Sequence, residues 1–244
     1  TPQPAGTTTY RVYAELQDTD DFLSAMFGIP AAGANPTCYP LAVNTTTSFF
    51  NSAIGHADGT GIIEAACGSF PDVYYDSFMT IGRELSDDPG AVGNQWSANP
   101  FTGPFSAGVG NVLGTDGAIF ATNGSPNGLP TGPNNRVLLG QFTTDGDLSF
   151  NINVNVFDGG DGVGGNLQYI AYDLDNTDCA VPGTAIDGQL LGLVFPLATV
   201  DGCTDSGACN YDPAATNDDG TCEFTSCAGC TDATATNYDP TATH

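Results

Sequence analysis

The chain of 244 residues contains no lysine, and its basic side chains are two histidines and the arginines Arg11, Arg83 and Arg136. Without lysine there is no Schiff-base chemistry, no phosphate-loop ammonium and no lysine-to-asparagine isopeptide bond. Three arginines against 28 acidic residues leave a formal net charge of −25. Such a surface repels phosphate, which argues against nucleic acid and anionic membrane as partners. No apolar run is long enough to cross a bilayer, so membrane insertion is not expected. The nucleophile elbow G-x-S-x-G and the zinc motif H-E-x-x-H are also missing. His56, in "GHADGTG" with Asp58 nearby, is the single internal histidine, and a lone loop histidine is ordinarily a hydrogen-bonded surface residue. No enzyme is expected.

What is present points to a folded β protein. Fourteen Phe and nine Tyr supply a core, while 32 Gly and 16 Pro predict many turns and little helix. In "LSFNINVNVF" the residues Leu148, Phe150, Ile152, Val154 and Val156 alternate with Ser149, Asn151, Asn153 and Asn155, one buried face against one wet face. Further strands are expected over Thr9–Leu16, Asp21–Phe27, Tyr39–Val43, Val73–Gly82, Gly117–Thr122, Arg136–Phe142 and Leu167–Leu174, separated by clusters such as "TNGSPNGLPTGPNN". This pattern predicts an antiparallel, jelly-roll-like β-sandwich over residues 1–200. The start "TPQPAG" reads as a mature terminus after removal of a signal peptide. The stretch "TPQPAGTTT" has two readings, a strand added to a neighbour's sheet edge or a flexible tail.

Composition changes after Asp201. Six of the eight cysteines lie between Cys179 and Cys230, which predicts disulfides and an oxidising compartment, hence an extracellular or cell-surface location. Gly202–Asn217 and Gly229–His244 match at eleven of sixteen positions at a spacing of 27, so residues 201–228 form one repeat and 229–244 part of a second. The array is expected to continue past His244. A unit this short requires disulfides, metal or neighbours for stability. Its first copy carries Asp205, Asn210, Asp212, Asn217, Asp218 and Asp219 before Gly220, oxygen donors of the kind that suit Ca²⁺. The same residues serve equally as Asx turns and solvated caps. Asp158 and Asp161 in "FDGGDGVGGN" carry the same two readings.

Differences between the copies suggest the disulfide pairing. Cys209 stands where the second copy has Thr236, and Cys227 is the other additional cysteine, so Cys209 pairs with Cys227 and Cys203 with Cys222. Cys38 and Cys67 are expected to bridge within the sandwich, with Cys179 and Cys230 left over.

The pattern "GCTD..A.NYDP.AT.DDG.C" resembles a repeat of large secreted surface proteins of marine Bacteroidota, usually cargo of type IX secretion. "YRVYAEL" and "YYDSFMTIG" are similar, less specifically, to the N-terminal β domain that accompanies such repeats. The resemblance implies secretion and carries no reaction. Together these features lead to an expected structural or adhesive subunit that self-associates into a filament or surface matrix, with calcium-stabilised repeats as its connector. The alternative is a calcium-dependent, glycan-binding module that uses Trp96, Tyr74 and Tyr75, of which one tyrosine is expected in the core.

Overall fold

The computed structural model describes residues 3–28, 41–83, 94–97, 110–114, 117–132, 134–171, 188–190, 194–195, 201–212, 215, 217–227, 229, 234 and 236. The chain divides into two compact units, Thr1–Pro196 and Leu197–His244, close to the change of composition at Asp201.

The first unit is all-β, and its sheets are mainly antiparallel, as the alternation predicts. A three-stranded sheet has the order β1 (Thr8–Glu15), β8 (Arg136–Thr144), β4 (Phe78–Met79). A six-stranded sheet runs β12 (Gly188–Leu190), β11 (Asn166–Ala171), β10 (Asn153–Phe157), β2 (Phe22–Gly28), β7 (Gly117–Phe120), β5 (Gln95–Ser97). A four-stranded sheet runs β13 (Val194–Phe195), β9 (Leu148–Asn151), β3 (Leu41–Thr45), β6 (Asn111–Gly114). Only β11 and β12 pair in parallel among the described strands of this unit. One apolar cluster joins all three sheets through Leu23, Met26, Val43, Met79, Val112, Ile119, Leu139, Phe142, Ile152 and Val154. Burial of these side chains, worth about 1.5–3 kcal/mol each, is the main source of cohesion.

Two segments depart from the expected strands for identifiable reasons. "LSFNINVNVF" is not one strand: it breaks at Ile152, so that β9 joins the four-stranded sheet and β10 the six-stranded one. Asn153, expected on the wet face, is fully buried at this corner, where its amide donates to the Phe27 carbonyl at 2.8 Å. A strand that changes sheets turns the corner of a sandwich, and its polar residue must then be satisfied internally.

The second departure is "VYYDSFMTIG". Pro71 opens a 3₁₀ turn over Pro71–Tyr75, and only Phe78–Met79 remain as strand. Proline at the first helical positions lacks an N–H that would be unpaired there anyway. Val73 supplies the buried residue of this turn, so neither tyrosine enters the core: Tyr74 is half exposed and Tyr75 partly buried. A short helix, α1 (Glu64–Ser69), was not expected; it packs beside the turn, with Ile62, Cys67, Val73, Phe78 and Leu138 as a second small core. Gly82, just past the strand, has φ +73° and stands so close to Asn127 that a Cβ would lie 1.8 Å from its carbonyl oxygen. No other residue fits both constraints.

Gln3 to Thr7 form a turn. Thr7 N–H and Thr7 Oγ1 both donate to the Pro4 carbonyl, and the Gln3 amide donates to Thr7 O, closing a turn before β1 begins.

Candidate functional sites

The second unit is built on two interleaved disulfides, Cys203–Cys222 and Cys209–Cys227, the pairing expected from the repeat. Among its described residues only Cys203 and Ala208 are buried, so sulfur and backbone bonds take the place of an apolar core. Asp201–Gly202 (β14) pairs in parallel with Asn217–Asp218 (β15). Asn210 is the central strut: its amide donates to Thr221 O at 2.8 Å, and its oxygen accepts from Glu223 N at 2.8 Å. Cys209 N adds a bond to Glu223 O at 2.7 Å.

The proposed oxygen donors are largely occupied in local turns. Asp205 accepts from Gly207 N, Asp218 from Gly220 N, and Asp219 from both the N–H and the hydroxyl of Thr221. Those two bonds from Thr221 hold the Asp219 carboxyl below the usual carboxylate range. Asn217 donates to Asp201, and Asp212 N–H bonds Cys203 O. Glu223, bonded by Thr225 and Ser226, is held down at about 2. Among the described residues no three His, Cys, Asp or Glu side chains group as they would around a cation. The arrangement is that of Asx and hydroxyl turns in a stapled loop.

In the first unit, Asp161 accepts from Val163 N at 2.9 Å, and the N–H groups of Val163 and Gly164 keep its carboxyl low. Asp158 heads the same loop and borders a cleft described below. Cys67 is buried in the small core, while its expected partner Cys38 lies outside the described residues, as do Cys179 and Cys230. Trp96 pairs with Ile119 in the edge strand β5, whereas Tyr74 sits in the 3₁₀ turn. Tyr74 borders a cavity of about 40 Å³ with Arg11, Ile62 and Gln141.

Two features escaped the sequence reading. One is Asp76, which lines a cleft of about 300 Å³ with Asn51, Ser52, Gly55 and His56. Its two carboxylate oxygens accept from Ser52 N and His56 N, each at 2.8 Å. Burial nevertheless pushes its carboxyl up to about 6, against the opposing pull of those N–H bonds and of His56. The Ser52 hydroxyl is directed to Asp72 at 2.8 Å, and His56 Nδ1 lies 3.0 Å from the Asp58 carbonyl oxygen. Serine, histidine and Asp76 therefore do not form a proton relay, and Asp76 acts as a tether between two loops.

The other is a groove along β1. Tyr13, Ala14, Glu15, Leu16 and Gln17 line a cleft of about 410 Å³ whose far wall is Val154, Val156, Leu167 and Tyr169, with Asp21 and Asp158 completing its lining. Tyr10 to Tyr13 line an adjoining cleft of about 260 Å³ against Leu148, Phe150 and Phe195. Val154 pairs with Tyr169 and Val156 with Leu167 across β10 and β11, so the four share one face. Phe150 pairs with Phe195, their rings stacked at 5.5 Å. Asp21 accepts from Asp18 N and Gly159 N, and Arg136 pairs with Glu15 at 2.7 Å while lying over the Tyr13 ring. The Cα periodicity of each strand is visible in sequence, but only the pairing of residues more than a hundred positions apart brings these rows together. Comparison with protein families, characterised proteins and solved structures gives no match for this chain.

Proposed function

We propose that this protein is an extracellular structural or adhesive subunit, in which an all-β body carries a disulfide-stapled connector. The observation that carries this reading is the self-contained second unit: both of its described disulfides close within it, and Asp205, Asp218 and Asp219 bond the turns of its own loop. A loop stiffened in this way has the properties of a spacer that resists proteolysis and unfolding. The resemblance of its repeat to those of secreted surface proteins supports the same reading, and so does the charge of −25, which keeps the surface soluble and directs association to defined contacts.

The test is light scattering with electron microscopy of the purified chain over a range of concentration, in calcium and in excess chelator. Ordered polymers are expected. Polymers that loosen in chelator would place the ion at their joints. A monodisperse monomer in both conditions, retained on a glycan array, would replace the subunit reading with that of a glycan-binding module.

A further inference from the structure

We propose that Asn123 is a self-modifying site, at which the side-chain amide cyclises onto the backbone nitrogen of Gly124 and the ring then opens to aspartate and isoaspartate. The reaction consumes only water. In its first step the Gly124 nitrogen gives up its proton and attacks Asn123 Cγ. The new N–C bond closes a succinimide, the Cγ–Nδ2 bond breaks, and ammonia leaves with that proton. Water then opens the ring at one of two carbonyls. Addition at the side-chain carbonyl returns a normal aspartate, and addition at the main-chain carbonyl leaves isoaspartate, with the chain routed through Cγ.

Glycine after asparagine favours this step, because it has no Cβ to shield the attacking nitrogen or restrict its rotation. The chain holds two such pairs, Asn123 with Gly124 and Asn127 with Gly128, both within "TNGSPNGLP". Their dipeptides are identical, so only the fold separates them.

Asn123 and Gly124 are both exposed. Ser125 N–H donates to Thr122 O at 2.9 Å, which closes a turn with Asn123 and Gly124 at its centre and Gly124 at φ +83°. The bond of such a turn joins its ends and leaves the central peptide unpaired. Among the described residues no acceptor takes the Gly124 N–H and no hydrogen bond holds the Asn123 side chain. A Cβ on Gly124 would meet nothing within 4 Å, so a ring has room to form.

Asn127 is placed in the opposite way. It is 1% exposed, its carbonyl oxygen stands against Gly82, and the Gly128 carbonyl accepts from Leu23 N. A Cβ on Gly128 would lie 2.4 Å from Leu23 O, so a ring there requires this segment to leave β2. Aspartate followed by glycine rearranges through the same ring, but in the loops those pairs are held. Gly146 N bonds Thr144 Oγ1, Gly159 N bonds Asp21, Gly220 N bonds Asp218, and the Asp161 carboxylate accepts from Val163 N.

Both products add one negative charge to a chain already at −25. The Asn123 amide nitrogen lies 3.1 Å from where a Cβ on Gly162 would stand, so that charge arrives beside the loop of Asp158 and Asp161. Bonds from Ala121 N to Ser24 O and from Leu23 N to Gly128 O pin the segment to β2 at both ends, which confines the change to the turn.

The test keeps the full chain, dilute and folded, in warm, mildly alkaline buffer and follows its chymotryptic peptides by tandem mass spectrometry, with isoaspartyl methyltransferase labelling of the product. It is independent of polymerisation. Asn123 should convert at least about tenfold faster than Asn127, which reacts only in the fraction of chains that is locally open. In urea the two should convert at similar rates. Asn123→Gln, which would need a larger ring, should abolish the label in the folded chain and leave that of Asn127 in urea. Equal conversion of Asn123 and Asn127 in the folded chain would overturn the proposal, and so would an Asn123 that persists in the folded chain while converting in urea.

Discussion

Replacement of Asp76 by asparagine probes whether a buried carboxylate, rather than hydrophobic packing alone, holds the 51–57 loop to the 3₁₀ turn. Both oxygens of Asp76 are engaged by backbone N–H groups at 2.8 Å, and the side chain is 1% exposed. An amide keeps one acceptor but turns its NH₂ toward the other donor, at a cost of about 1–3 kcal/mol. Opposing this, the neutral amide avoids the desolvation that lifts the native carboxyl from 3.8 to about 6. That shift of roughly two pH units corresponds to about 3 kcal/mol. Because the folded-state pKa lies above the unfolded one, its contribution is fully present below about pH 4 and is lost as pH rises through 6. Asp76→Asn should thus be less stable than the native chain at pH 4, and the gap should close by about 3 kcal/mol by pH 7. Urea unfolding followed by fluorescence of Trp96, the single tryptophan, reports the β body directly. Taking the difference between the two proteins at each pH cancels the remaining acids. A gap that stays constant from pH 4 to pH 7 would refute the reasoning. As a second check, Gly55→Ala should also loosen this tether, since an added Cβ would lie 2.1 Å from the Asp76 carboxylate.

The second unit should be more sensitive to reduction than the body. Disulfides closing separations of 19 and 18 residues restrict the unfolded chain by about 3 kcal/mol each, and among the described residues of the module only Cys203 and Ala208 are buried. Reduction, or Cys203→Ser with Cys222→Ser, should make residues 201–227 protease-sensitive while Trp96 fluorescence is unchanged; persistence of an intact module would show that turns alone suffice. Asn210→Ala removes the bonds to Thr221 and Glu223 and should destabilise the module by about 1–3 kcal/mol, seen as faster cleavage there by protease, whereas Asp205→Ala, which removes one exposed turn bond, should have an effect of under about 1 kcal/mol. Equal effects of the two would mean that Asn210 is not the strut.

By itself the sequence determined the class of the fold and the pairing of four cysteines. Alternation is a local property, so β1, β2, β7 and β8 were legible within a residue or two, and comparing two copies of a repeat exposed which cysteines were added together. Asx-turn chemistry is equally local, which is why one of the two readings of Asp205, Asp218 and Asp219 matches the bonds they make. Tertiary structure alone decided the rest. The corner at Ile152 depends on which sheets flank the two halves of a single alternating run, and the turn at Pro71–Tyr75 on the shelter that Val73 finds beside α1. Asp76 looked like one more strand residue until two loops closed over its carboxylate. The groove arises because β1 pairs with β8 across more than a hundred residues, which sets residues of β1 opposite residues of β9, β10 and β11. Local pattern specifies which face of a strand is apolar; what that face meets is set by non-local pairing, which no window of sequence contains.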